Sequence, residues 1–366
     1  MNNRLNQVRV ESSKHYDIML EHNKLGELAK VVSQGYNSNQ ALLIIDEWVH
    51  HYHRDWVVKN LNNHFDYLST YVVPSGEKSK NMTQFGRLLS WVLEQPVERN
   101  TPVLVMGGGV VGDLGGFVAA SALRGMPLIH IPTTLLAMVD SSIGGKTGIN
   151  HTSGKNVIGA FYQPEIVFAD TQFLQTLPQK EWMNGLSEVL KYGFIKDQEI
   201  FTLVDKAFTK DNSKDPEKWS EIIQKSAQIK AEIVSEDTLE KGIREYLNFG
   251  HTFGHAIENI ADYGTFSHGE AVFAGMYAAS LASELFLGIQ LDMSVFNEYS
   301  KHHHFSLQSL ENRIPELIAQ MQRDKKVKNQ HIRLVLLSAV GVPVGFTVEK
   351  PDDLTPIWEK TIAYFS

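Results

Sequence analysis

The 366-residue chain contains no cysteine. That absence excludes disulfides, thiolate catalysis and any cysteine-built zinc cage, so a metal site here must use His, Asp or Glu. A reducing, cytoplasmic setting fits. Basic excess is missing too: 34 Lys and Arg against 42 Asp and Glu leave a formal net charge of -8. General nucleic-acid binding needs a basic face that neutralises phosphates, and this balance argues against it. The first residues, MNNRLNQVRVESSKHYDI, lack the apolar core of a signal peptide, so no export is expected. A clean membrane span is also wanting. Its nearest candidate, residues 103–123 (VLVMGGGVVGDLGGFVAASAL), carries six glycines and Asp113. Each glycine weakens a helix by about 1 kcal/mol relative to alanine and the charge adds more, so no membrane association is expected. There is neither a fixed-period repeat nor a low-complexity tract.

What is present is ordinary globular composition, 43% hydrophobic and 21% charged. The length exceeds what one core usually serves, so two domains are expected. In the first half, short apolar runs alternate with helical patterns: QALLIID (40–46), TYVVPSG (70–76), PVLVMGGG (102–109), PLIHIPTT (127–134) and EIVFADT (165–171). That rhythm predicts an α/β sheet with crossover helices over residues 1–178. After Thr176-Leu177-Pro178 the β-runs nearly vanish, and segments such as EKWSEIIQKSAQIKAEIVSEDT and GEAVFAGMYAASLASELFLG show three-and-four spacing. A mostly helical second domain is therefore expected over 179–366. One late run, IRLVLLSAVGVPVGFTV (332–348), reads as a small hairpin or a returning strand.

Gly107, Gly109 and Gly112 follow VLVM and precede a helical pattern, so GGGVVG satisfies G-x-G-x-x-G in the setting that gives the motif meaning. Glycines there let the backbone approach a diphosphate while a helix N-terminus supplies N–H groups. A tight packing turn explains the same residues. The acid usually found about 20 residues on is absent; that place falls in HIPTT. Asp46 ends the strand-like ALLIID, where a carboxylate could take ribose hydroxyls, and Glu77 and Lys80 stand near another strand end. Taken singly, each is equally a solvated loop charge. Residues 139–156, VDSSIGGKTGINHTSGKN, read as a polar, glycine-rich loop with Asp140, Lys146, Lys155 and Asn156. Its basic groups could hold phosphate or carboxylate; the plainer alternative is a surface loop.

Glu188 and Lys191 in GLSEVLKYG lie three apart, on one helical face. An exposed ion pair there would contribute little, yet Leu186, Val189, Leu190 and Tyr192 around it point toward a cleft. In NFGHTFGHAIE, His251 and His255 are four apart and share a face if the run is helical, so two rings could grip one ion; His268 follows in HGEA. If Glu188 joins His251 and His268, the three make a His₂Glu set with an open position, the pattern of catalytic zinc. HTFGH lacks the glutamate that HExxH metalloproteases use as base, which disfavours peptide hydrolysis. The three adjacent histidines 302–304 make a poor chelate. Lys230, Arg244, Lys325 and Lys326 could add to a basic pocket, though each is equally a solvated charge. A divalent metal beside a dinucleotide suggests oxidation of an alcohol.

GGGVVGDLGGFVAA, IPTTLLAMVDSSIGGKTGIN, GKNVIGAFYQP, GLSEVLKYG, LNFGHTFGHAIE, HGEAV and DKKV occur in that order. This assembly, spanning about residues 40–340, resembles the 3-dehydroquinate synthases of the shikimate pathway. The resemblance implies an α/β N-terminal, Rossmann-like NAD-binding domain, a mostly α-helical C-terminal metal-binding domain, and a homodimer. It implies zinc, or cobalt, held by Glu188, His251 and His268. NAD contacts would be Asp46, Glu77, Lys80, the loop Gly108, Gly109, Val110, Val111, Gly112 and Asp113, then Thr133, Thr134, Lys146 and Lys155. Substrate positions would be Arg124 (from the partner subunit), Asp140, Lys146, Lys155, Asn156, Lys191, Lys230, Arg244, Asn248 and His255. Of these, Lys146, Lys155, Asn156, Lys191 and His255 would be catalytic, with Lys325 or Lys326 on phosphate. The implied reaction takes 3-deoxy-D-arabino-heptulosonate 7-phosphate to 3-dehydroquinate and phosphate through transient oxidation by NAD, β-elimination, reduction and aldol closure. Related alternatives are another sugar-phosphate cyclase, of the 2-deoxy-scyllo-inosose or 2-epi-5-epi-valiolone synthase type, and a metal-dependent polyol dehydrogenase. A non-enzymatic binding protein is a further class, disfavoured by retention of all three ligands. HTSGKN replaces the HPLGKN of many relatives and MNGLSEV replaces SAGLAEV; neither change touches a named ligand.

Overall fold

The runs that contain residues 40–46, 103–107, 128–132 and 166–170 are buried on both faces, and this is why they read as continuous rather than alternating, whereas the run at 70–76 belongs to a largely exposed edge strand. In the computed structural model, which describes residues 7–12, 14–36, 38–207, 215–238, 240, 242–261, 265–323 and 331–366, the five runs join two earlier strands in one seven-stranded sheet. Its strands are β1 (Gln7–Val10), β2 (Tyr16–Glu21), β3 (Gln40–Asp46), β4 (Tyr67–Val73), β5 (Val103–Gly107), β6 (Leu128–Pro132) and β9 (Ile166–Asp170), in the spatial order β1-β2-β9-β6-β5-β3-β4. All neighbours pair in parallel except β1 with β2. Helices α1 (Leu25–Gly35), α2 (Glu47–Asn62), α3 (Met82–Glu94) and α4 (Gly109–Ser121) lie between the strands in sequence.

Alternate residues of each strand feed two cores. Leu43, Ile45, Leu104 and Met106 pack with Leu28 and Val32 of α1 and Val57 and Leu61 of α2. Leu42, Ile44, Val103 and Val105 pack with Leu88 and Val92 of α3 and Leu114 and Val118 of α4. From β3 the chain moves outward to β4, then returns to lay β5 on the other side of β3. Such a reversal leaves a crevice at the carboxyl ends of the two strands, the usual ligand position in an open α/β sheet. Here those ends are Asp46 and Gly107.

Contacts divide the chain into two compact units, residues 1–181 with 207–238, and residues 182–206 with 239–366. Helix α7 (Pro216–Glu236) thus belongs with the sheet: its Ala227, Ala231 and Val234 cover Val8, Val10, Tyr16 and Ile18. Residues 139–156, read from sequence as a loop, instead form a π-turn at Ala137–Ser141 followed by a hairpin, β7 (Lys146–His151) and β8 (Gly154–Phe161). Glycine hid the ribbon's period, because the strands meet through Gly148 and Gly159. A Cβ on Gly159 would lie 2.1 Å from the Thr147 carbonyl oxygen.

The second unit holds α5 (Gln179–Ile195) from Trp182 on, α6 (Glu199–Ala207) up to Lys206, α8 (His251–Ile260), α9 (His268–Leu287), α10 (Ser294–Tyr299), α11 (Ile314–Arg323), α12 (Thr355–Tyr364) and the late hairpin β10 (Ile332–Ala339) with β11 (Val342–Val348). Helix α9 is long and apolar enough to cross a membrane, but most of it is buried inside this unit, so it serves as a core helix. It meets α8 at backbone distance. A Cβ on Gly275 would stand 2.1 Å from the Gly250 carbonyl oxygen.

Candidate active site

In the first unit, the glycine-rich turn leads from β5 into α4, with Gly108 as N-cap. Its packing is tight, as the plainer reading of the motif held: a Cβ on Gly107 would lie 2.8 Å from that of Val111, and one on Gly108 would lie 3.0 Å from Thr134 Cγ2. Space alone does not account for the turn, however. Thr133 donates its N–H to the Gly107 carbonyl at 3.0 Å, while its own hydroxyl is buried with no hydrogen-bond partner among the described residues. The Ser141 hydroxyl is likewise buried and unpaired, 3.0 Å from where a Gly109 Cβ would be. Two orphaned hydroxyls beside a helix N-terminus suit an anionic oxygen-rich group such as a diphosphate.

Asp46 has a structural task as well: its Oδ1 caps α2, accepting from Trp48 N at 2.9 Å and from the Ser75 hydroxyl at 2.8 Å. Lys80 is buried and ion-paired with Asp113 in the first turns of α4. Asp113 is driven up by burial, against the pull of Lys80. Lys230 reaches from α7 to the π-turn, where its Nζ donates to the Asp140 carbonyl at 2.5 Å and to Oδ1 at 2.6 Å. The π-turn thus joins Asp140 to Lys230. Lys146 and Lys155 lie on the hairpin strands, exposed, beside Asn156, whose φ of 55° is left-handed. Arg124 is exposed and also left-handed, at φ 60°.

In the second unit, α5 carries Glu188, fully buried, one turn from Lys191, which is 1% exposed and ion-paired with it. The N-termini of α8 and α9 supply His251 and His268. Both Nε2 atoms stand 3.4 Å from Glu188 Oε1, and no two ligating atoms of the trio are more than 4.8 Å apart. At 3.4 Å these contacts are poor hydrogen bonds, and neither Glu188 oxygen accepts a well-directed one among the described residues. Donors about 2.0–2.1 Å from a tetrahedral ion would be about 3.4 Å apart, so the spacing fits a shared divalent cation better than it fits mutual hydrogen bonds.

The far ring nitrogens fit too. His251 Nδ1 faces the Phe249 carbonyl at 3.3 Å and His268 Nδ1 faces Glu258 Oε2 at 3.7 Å. Protons held there leave the Nε2 lone pairs for a metal. Glu258 was not singled out from sequence, although its position seven residues after His251 places it on the same helical face. Burial opposes ionisation of Glu188, yet Lys191 and the two imidazoles outweigh it and hold the carboxyl well below the usual range. Burial, reinforced by Lys191, lowers His251 to about 4. For His268 burial acts the same way but is overridden by Glu188 and Glu258, which raise it to about 10.

Local sequence explains how α9 arrives at this spot. Ser267 and Glu270 form a capping box, with Ser267 N donating to Glu270 Oε2 at 2.7 Å. Gly269 then sits on α5 so closely that a Cβ would be 2.3 Å from Asn184 Cα. Asn184 is one turn before Glu188, so this contact brings His268 over the carboxylate.

A family model for the N-terminal part of 3-dehydroquinate synthase matches residues 70–184, and one for its C-terminal part matches 185–327. The chain belongs to the 3-dehydroquinate synthase family. It is 40% identical to 3-dehydroquinate synthase of Rippkaea orientalis over 89% of this chain and 90% of that one, and 45% identical to that of Nitrosomonas europaea over 76% of each. Among solved structures, 2-deoxy-scyllo-inosose synthase complexed with carbaglucose-6-phosphate, NAD+ and Co2+ has a TM-score of 0.83 at 25% identity, over 97% of this chain and 99% of that one.

Three further positions that the family pattern singles out, Arg244, Asn248 and His255, lie in the second unit. Arg244 is buried in the second unit, and Asn248 donates to the Glu245 carbonyl at 3.0 Å. His255 stands one turn along α8, its ring edge-on to His251 with centroids 5.5 Å apart; the group spaced to hold a metal pairs His251 with His268 rather than with His255. Lys325 and Lys326 lie outside the described residues. Of the three adjacent histidines, His303 is buried and stacked on Phe273 at 4.4 Å, a core role.

Proposed function

We propose that this protein converts 3-deoxy-D-arabino-heptulosonate 7-phosphate to 3-dehydroquinate and inorganic phosphate, using NAD+ and a divalent metal, zinc or cobalt. The observation that carries the reading is the convergence of Glu188, His251 and His268 at tetrahedral spacing in a chain with relatives of this activity. When bound, NAD+ supplies reversible oxidation of a secondary hydroxyl and the metal polarises the oxygen involved. The first unit is the dinucleotide-holding part: Asp46, Glu77, Lys80, the Gly108–Asp113 turn and the Thr133–Thr134 pair contact NAD+, with Lys146 and Lys155.

The other residues bind and orient the substrate. Lys146, Lys155, Lys191, Lys230 and Arg244 neutralise its carboxylate and phosphate, and Asp140 holds the Lys230 ammonium by the two contacts described. Asn156 and Asn248 direct hydroxyls. His255 carries protons, because a second imidazole one turn from a metal-ligating one can exchange a proton without leaving the metal short of a ligand. Once the secondary hydroxyl is a ketone, the neighbouring C–H is acidified; the substrate's own phosphate group takes that proton, a C=C bond forms, and phosphate departs with the C–O electron pair by β-elimination. Reduction and aldol closure then leave NAD+ unchanged over the cycle. A cytoplasmic homodimer, with Arg124 reaching into the partner's site, completes the reading.

The test is phosphate release from the heptulosonate phosphate, followed together with absorbance at the NADH wavelength. Stoichiometric phosphate without NADH accumulation is expected. Preference for glucose 6-phosphate or sedoheptulose 7-phosphate would move the assignment to another sugar-phosphate cyclase, and steady NADH accumulation would move it to a dehydrogenase.

A further inference from the structure

One side chain outside the sets above links two of them. Asn150 lies in β7. Its Nδ2 donates to Glu77 Oε1 at 2.6 Å, and its Oδ1 accepts from the Asn156 backbone N–H at 2.9 Å. Its own backbone N–H donates to the Lys80 carbonyl at 2.9 Å. The amide orientation follows from the partners: a carboxylate only accepts and a peptide N–H only donates, so a single arrangement satisfies both. The bond to Glu77 is charge-assisted and short. The bond to Asn156 steadies a residue whose backbone, at φ 55°, is left-handed, a conformation asparagine tolerates better than most residues bearing a Cβ.

We propose that Asn150 is a positioning residue that fixes Glu77 with one end of its amide and Asn156 with the other, so that the dinucleotide contact and the substrate contact are set together. The proposal rests on the functional reading above, in which Glu77 faces NAD+ and Asn156 the substrate. Asparagine suits this task in a way its isosteres do not. Aspartate keeps the acceptor for Asn156 but sets a carboxylate against Glu77. Alanine loses both ties.

The experiment is a double-mutant cycle on the metal-loaded protein. NAD+ dissociation constants are measured directly by calorimetry, and KM for the heptulosonate phosphate is taken at saturating NAD+. Asn150→Asp is expected to weaken NAD+ at least tenfold while shifting KM less than threefold; Asn150→Ala is expected to worsen both. In a Glu77→Gln background the amide now stands on the other side, so Asn150→Asp restores a donor–acceptor pair and is expected to leave NAD+ affinity unchanged or better. Thermal midpoints of all variants separate these effects from unfolding. Equal loss of NAD+ affinity in both backgrounds, with a wild-type protein that binds NAD+ and turns over, overturns the role of Asn150. A wild-type protein that does neither overturns the functional reading, and this proposal with it.

Discussion

Glu188 is fully buried and Lys191 almost so, so their pairing is a burial problem as well as a chemical one. Removing one member of such a pair strands the other charge and costs about 3–5 kcal/mol, whereas replacing both by apolar groups can be neutral. Glu188→Gln is therefore expected to abolish tight metal binding and reduce turnover below about 1% of wild type, leaving a folded but less stable protein. Glu188→Gln with Lys191→Met should recover stability in urea titrations without recovering metal. If the single variant is as stable as wild type, the pair is not energetically coupled. His130 on β6 supplies a separate residue-scale test. Burial alone lowers it to about 4, against an ordinary 6.5. The unfolded chain therefore binds a proton that the native state refuses. Its contribution is fully present above about 6.5, declines as pH falls, and levels off below about 4, for a total of about 3 kcal/mol. His130→Leu should flatten this part of the pH dependence of unfolding free energy. An unchanged slope between pH 6.5 and 4 would exclude burial of the neutral imidazole as its source.

At the scale of elements, the metal trio depends on how closely the first turn of α9 rests on α5. Gly269→Ala would drive a Cβ to 2.3 Å of Asn184 Cα, and backbone cannot yield as a flexible side-chain tip would. Overpacking of this kind costs about 1–3 kcal/mol, and relief by lifting α9 would draw His268 away from Glu188. The variant is expected to lose at least tenfold in zinc affinity by competition with a chromophoric chelator, and to melt earlier. A lower melting point with unchanged zinc affinity would show the strain is absorbed elsewhere. This contact was not legible in the sequence. HGEA shows a histidine, but it does not say that the glycine beside it lets two helices meet, or that Ser267 and Glu270 close a capping box there. The hairpin at 146–161 was missed for a related reason: where glycines form the strand contact, hydrophobic alternation has nothing to alternate. By contrast β3 and β5 were legible because burial on both faces leaves an unbroken apolar run in the sequence, and β6 keeps that pattern with His130 as its one polar interruption.

For the whole molecule, periodicity identified α7 as a helix but could not name its partner. An apolar stripe of Ala227, Ala231 and Val234 fits any apolar surface, and the fold lays it on β1 and β2 of the first unit. Lys230 consequently meets Asp140 within that unit, while the metal trio lies wholly within the other. The proposed function therefore puts the two cofactors on separate compact units, and linkage turns this into an observable. A ligand bound only by the native state stabilises it by about 2.7 kcal/mol at a hundredfold excess over its dissociation constant, and the gain appears first in amides whose exchange proceeds by local opening near the site. NAD+ added to metal-free protein is expected to slow exchange in β3, β5 and the start of α4. Zinc added to NAD-free protein should slow it in the first turns of α8 and α9, and chelation should reverse only the latter. If either ligand alone protects both sets equally, opening of the two units is a single cooperative event, and assigning each cofactor's stabilising effect to its own unit is wrong.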